Sequence, residues 1–210
     1  MRYLYILSAV LLLLSCKKEE VEPQDPNNEV TPPPTPIVDL SCHFIANIGG
    51  ANYEITQNIN GYDGLSHDSL YLVPSPSLSE AVYHFTMSSS SSTSSIGVKH
   101  GSIFFDNATS NSPTLNQFNN FFTNDTIPSY SSDGFSGFEF VFIDNLGSEW
   151  KSSETSVNPQ SVQLQNVTVE SGSNGDFVTY NCTFTCYVYN AGFTDSILID
   201  NAALQSWYQY

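Results

Sequence analysis

From Val178 to Val188 every second residue is apolar: Val178, Tyr180, Cys182, Phe184, Cys186 and Val188. Between and beyond them stand Thr179, Asn181, Thr183, Thr185, Tyr187 and Tyr189. A two-residue period puts the first set on one face of a strand and the second on the other. Phe138, Phe140 and Phe142 alternate in the same way with Glu139, Val141 and Ile143, as do Cys42, Phe44, Ala46 and Ile48 with their neighbours. Turn residues separate these runs. Gly49-Gly50 leads into Tyr53-Glu54-Ile55 as an opening hairpin. Asp144-Asn145-Leu146-Gly147 leads into Glu149-Trp150-Lys151, Ser171 to Asp176 closes a hairpin before Val178, and Asn190-Ala191-Gly192 leads into Ile197-Leu198-Ile199. Val162 and Leu164 are out of phase with Val167 and Val169, so a bulge is expected near Gln165-Asn166. Ala81 to Met87 reads as a strand, and Ile96 to Lys99 and Ser102 to Phe105 as two short strands around Gly101. The run Ser88 to Ser95, all serine except Thr93, reads as a mobile loop.

One segment has the helical period instead. Leu115, Phe118, Phe121 and Phe122 share a face, with Asn116, Asn119 and Asn120 on the other. Ser112 is the expected cap and Pro113 the first helical position. The aromatic stripe reads as core packing. About ten strands at this spacing, with one short helix, predict an all-β fold over residues 41–210, an antiparallel β-sandwich.

The N-terminus has a different character. Arg2 precedes the apolar run Tyr3 to Leu14, which ends in Leu13-Leu14-Ser15-Cys16. This reads as a lipoprotein signal peptide over residues 1–15, with cleavage before Cys16 and lipidation of its thiol; the alternative is a plain signal with an incidental cysteine. Residues 16–40 hold Pro23, Pro26, Pro32, Pro33, Pro34 and Pro36 and few core-forming side chains, which predicts an extended linker. The expected location is the outer membrane, on its exposed face, with the membrane as partner through the lipid anchor.

Charge narrows the function classes. The 210 residues carry a formal net charge of -16, with 12% charged residues against a usual ~25%. That balance excludes a nucleic-acid partner held by phosphate neutralisation. Beyond residue 40 the only cations are Lys99 and Lys151, with no arginine to clamp an anionic substrate. Three cysteines remain after Cys16. Cys182 and Cys186, four apart on one strand face, stand about 13 Å apart and cannot pair. Cys42 can bridge to Cys182 or Cys186, or all three can stay as buried thiols.

Candidate chemistry is sparse. His43, His67, His84 and His100 are scattered, no H-E-x-x-H occurs, and Gly134-Phe135-Ser136-Gly137 lacks the spacing of a nucleophile elbow. A glycosidase needs two carboxylates ~5 to 9 Å apart, which Glu139 and Glu149 on neighbouring strands could in principle supply, an unremarkable pair in so acidic a chain. No catalytic residue and no transition-metal site is assigned. Trp150, Tyr187, Tyr189 and Trp207 lie near strand ends or on expected outward faces, and form a candidate aromatic platform for sugar. Asp144-Asn145 with Glu149, and Asn174 with Asp176, are oxygen-rich enough for a structural calcium ion, although turns demand the same residues.

Three stretches carry a resemblance: Phe44-Ile45-Ala46-Asn47-Ile48-Gly49-Gly50 with Tyr53, then Phe140 to Trp150, then Cys182 to Asn190. Together they resemble small Bacteroidetes surface lipoproteins of uncharacterised function, and Cys16-Lys17-Lys18-Glu19-Glu20 resembles their export signal. The resemblance implies a lipid-anchored β-sandwich facing outward and supplies no catalytic residues. The chain departs from it at Asn201-Ala202-Ala203-Leu204, where relatives often carry a glycine and an aromatic. Asp68-Ser69-Leu70, Asp125-Thr126-Ile127 and Asp195-Ser196-Ile197 resemble that group's O-glycosylation acceptor pattern, which makes Ser69, Thr126 and Ser196 candidate acceptors. The leading functional expectation is non-catalytic binding or adhesion, with a glycan or a surface protein as ligand. A structural or accessory subunit of an envelope complex comes second, and a hydrolase third.

Overall fold

The computed structural model describes residues 39–210; the leader, Cys16 and most of the proline-rich linker lie outside the described residues. Among the described residues, ten strands and one helix follow in order: β1 (His43–Ile48), β2 (Ala51–Thr56), β3 (Tyr62–Tyr71), β4 (Ser79–Ser89), β5 (Ser95–Phe105), α1 (Leu115–Asn124), β6 (Phe138–Ile143), β7 (Glu149–Ser152), β8 (Ser161–Gly172), β9 (Gly175–Tyr189) and β10 (Ser196–Gln209). These strands all pair antiparallel in one path, β2-β1-β10-β9-β7-β6-β5-β4-β3, with β8 on β9 beside it. β9 makes the curl. One of its edges is taken by β10; the other is shared, with β8 paired as far as Thr185 and β7 at Val188 and Tyr189. The path therefore folds over at β7, and β3 to β6 face β8, β9, β10 and β1 as a sandwich.

The inward positions are those of the alternating pattern. Phe44 meets Phe140 at 5.7 Å between ring centroids, Phe140 meets Phe184 at 4.8 Å, and Phe85 meets Trp207 at 5.8 Å. Each such side chain contributes about 1.5–3 kcal/mol by leaving water. α1 closes one end, with Phe118 and Phe122 fully buried against Tyr83 and Tyr208.

The expected bulge is present: β8 has one extra residue between Gln165 and Thr168, and Asn166 has φ 52°. A second bulge, at Asp200-Asn201 in β10, serves both neighbours, since the register shifts against β9 and against β1 at the same place. Asn201 there has φ 50°, and its N–H donates to Asp200 Oδ1 at 2.9 Å. Three expectations are corrected. The segments around Gly101 form one strand, β5, with the extra residue absorbed opposite Ala81 and Val82. The helix cap is Thr114, two residues past Ser112, because Gln117 closes a capping box with it and Pro113 falls outside. The serine run is tied down: Ser89 and Ser91 hydroxyls donate to Asn60 O, Thr93 to Asn145 O, and Tyr62 OH to Ser94 O.

Candidate functional site

The four proposed platform aromatics do not assemble. Trp207 is 9% exposed, packs between Phe85 and Phe177, and donates its indole N–H to Leu40 O at 3.0 Å. Trp150 pairs with Phe142 and packs against the core, its indole N–H held by Asp144 Oδ2 at 3.1 Å. Tyr189 pairs with Lys151, one residue on, so it and Tyr187 belong to the opposite face. Tyr189 stacks on Phe193 and shares a hydrogen bond with Ser156 Oγ at 2.9 Å. Each of these aromatics other than Tyr187 is therefore committed to holding its own surroundings.

Of the two cysteine readings, the structure takes the buried thiols. Cys42, Cys182 and Cys186 are free and buried. Cys182 lies opposite Leu204, and Leu204 opposite Phe44, so Cys42 and Cys182 are two strands and two residues apart, about 12 Å between Cα atoms. Cys186 lies level with Ile48, about 20 Å from Cys42 along β1. A disulfide needs less than ~7 Å. Burial pushes the Cys42 thiol up to about 11, Cys186 to about 12 and Cys182 further, so the thiols stay protonated.

Acidic groups are similarly spent. Asp144 accepts from Trp150 and from the backbone N–H groups of Leu146 and Ser148, which hold its carboxyl below the usual range. Asp176 accepts from Ser171 Oγ at 2.5 Å across the hairpin. Glu149 pairs with Ile143, four residues along β6 from Glu139, which puts the two glutamates about 14 Å apart at Cα. Each has its own lysine: Lys99 Nζ lies 2.5 Å from Glu139, and Lys151 Nζ 2.8 Å from Glu149. Glu139 is fully buried, and burial raises its pKa. The register thus does not present the two carboxylates together to a substrate. Of the candidate acceptors, Ser196 is exposed after the Asn190 turn, while Ser69 and Thr126 are half-buried.

A site of a different kind lies where β8 meets the segment after α1. Leu164 N–H donates to Thr126 O at 2.8 Å, and Tyr130 OH donates to Ser161 O at 3.1 Å. These bonds hold residues 126–130 alongside β8. Two hollows result, of about 470 and 580 Å³, which share Ile127, Ser161 and Val162. The first reaches across Gln163, Thr183, Thr185 and Asn201 on the outer faces of β8, β9 and β10. The second is lined by Ser129, Tyr130, Glu154, Asn158 and Gln160. Burial raises the Tyr130 hydroxyl, which stays neutral, and Ser132 Oγ donates to Glu154 and holds its carboxyl below the usual range. The lining mixes hydroxyls and amides with apolar surface from Ile127, which is exposed, and from Pro128, Val162, Phe184 and Ala203, with Glu154 the one charged group. Such a surface can hydrogen-bond a neutral, hydroxyl-rich ligand and offer it apolar contact. The sequence signal for it was diffuse, since Thr126 to Tyr130 carries neither period. Comparison with protein families, with curated proteins and with solved structures finds nothing that matches this chain.

Proposed function

We propose that the chain is an exported lipoprotein, anchored in the outer membrane through Cys16, whose sandwich binds a neutral glycan at the cell surface without transforming it. The observation that carries this reading is the pair of adjoining hollows around Ile127, where Gln, Asn, Ser and Thr side chains stand among apolar ones with a single carboxylate. Neutral sugars are held by amide and hydroxyl groups with an apolar contact for the ring face, and an acidic, arginine-free body repels acidic ones. Binding of the purified chain to an array of neutral and acidic glycans tests the reading. Retention of a neutral class, lost in Gln163→Ala and Thr183→Ala at unchanged melting temperature, supports it. No neutral glycan retained, or retention indifferent to both substitutions, overturns it.

A protein ligand is the second reading. It is favoured by exposed Tyr71, Leu72, Leu78 and Phe104 at one end of β3 to β5, where Tyr71, Glu80 and Phe104 stand in one cross-strand row. Cross-linking in the native envelope, with and without Phe104→Ser, separates it from the glycan reading.

A further inference from the structure

His67 in β3 and His84 in β4 are directly opposed partners in the antiparallel ladder. Opposed residues bring their Cβ atoms to ~4.5–5.5 Å, and here the two imidazoles stack with centroids 4.5 Å apart and an interplanar angle of 19°. The pair is unequal. His67 is exposed on a strand that ends the path, while His84 is half-buried and its Nε2 is buried without a hydrogen-bond partner. Next along the row stand Lys99, opposite His84, and Glu139, opposite Lys99. Lys99 is itself paired with Glu139.

We propose that His67 and His84 form a two-imidazole chelate for a divalent late transition-metal ion, with Cu2+ the tightest. Imidazole nitrogen suits Cu2+, Ni2+ and Zn2+, and Cu2+ heads the order of affinity among first-row divalent ions. Chelation needs a modest rearrangement. The exposed His67 ring turns out of the stack so that one nitrogen from each ring points to a common position, and water fills the remaining coordination sites. The net charge of -16 raises the local concentration of cations around the molecule. The ion would fasten the edge strand β3 to β4 through side chains and so stabilise the folded state in proportion to its concentration.

The test is titration of the full chain with CuCl2 alone, followed by calorimetry and by electron paramagnetic resonance. The expected result is one Cu2+ per chain with two nitrogen couplings. His67→Ala, at an exposed position, is expected to leave one coupling and weaken binding by about tenfold or more, the least that loss of even an outer-shell partner of a ligand costs. His43→Ala, on β1 beside Glu54, is expected to change nothing. A parent chain that takes up no Cu2+, or a His67→Ala chain that keeps the parent's affinity and two-nitrogen spectrum, overturns the proposal.

Discussion

Lys99 and Glu139 concentrate the electrostatic risk of this molecule in one contact: a wholly buried carboxylate with a partly exposed amine as its counter-ion. Lys99→Met removes the cation and leaves the charge, which costs about 2–4 kcal/mol at pH 7, below the upper end for a pair buried on both sides. The pH dependence has a definite sign. Burial raises the folded pKa of Glu139, so the folded state holds more protons than the unfolded state between 4.5 and that raised value, and stability falls as pH rises through that window. The Lys99→Met deficit is therefore expected to shrink on acidification, as denaturant midpoints from pH 7 to pH 4 would show. His84 acts in the opposite sense. Its folded pKa of about 4 lies below the ordinary 6.5, so its contribution is present above 6.5 and lost as pH falls toward 4. His84→Gln is expected to flatten the acid loss over that interval relative to the parent. Alternation along β6 foretold that Glu139 points away from the three phenylalanines, and it does. It could not foretell burial, which comes from a loop laid over the outer face: Gly101 N–H donates to Gly137 O, and a Cβ on Gly134 would fall 2.5 Å from Lys99 Cβ.

At the scale of elements, the period-two runs and the one helical run became strands and helix where expected, because those signals are local. Errors arose where a partner distant in sequence decides, and where two local signals compete. The hydroxyls of the serine run reach Asn60 and Asn145, so a composition typical of a mobile loop becomes a held one. The helix start moved because Gln117 selects Thr114, a contact three residues long that outweighs proline's preference for the first turn. Thr114→Ala is expected to cost about 1 kcal/mol, measured by denaturant unfolding. Phe122→Ala, in the ring cluster of Tyr83, Phe118 and Tyr208, is expected to cost about 3–5 kcal/mol. Gly137 is required by close approach: a Cβ there would stand 2.0 Å from Ser129 O. Gly137→Ala should therefore detach the covering loop, and hydrogen exchange at the Ser131 and Phe138 amides, which bond Phe138 O and Ser129 O, should accelerate.

For the whole molecule, the fold class followed from strand count and turn spacing, whereas the path did not. Nothing in the chain's periodicity says that β9 divides one edge between β8 and β7, because pairing partners are set by closure of the core. The same holds for the hollows around Ile127, which exist only once residues 126–130 lie beside β8. The proposed anchor belongs to this scale too. Cys16→Ser is expected to abolish incorporation of labelled palmitate and to move the protein from the detergent to the aqueous phase on phase separation. The placing of β1 has a mechanical consequence. β1 is the first strand of the body, yet it lies inside the path, bonded to β10 on one side and β2 on the other. A pull entering from the N-terminal side and directed along the strand therefore loads two ladders in shear at once instead of peeling an outermost strand bond by bond. A domain gripped at its far end while tugged from its first residues should accordingly yield late and abruptly, as a clasp does and a zipper does not.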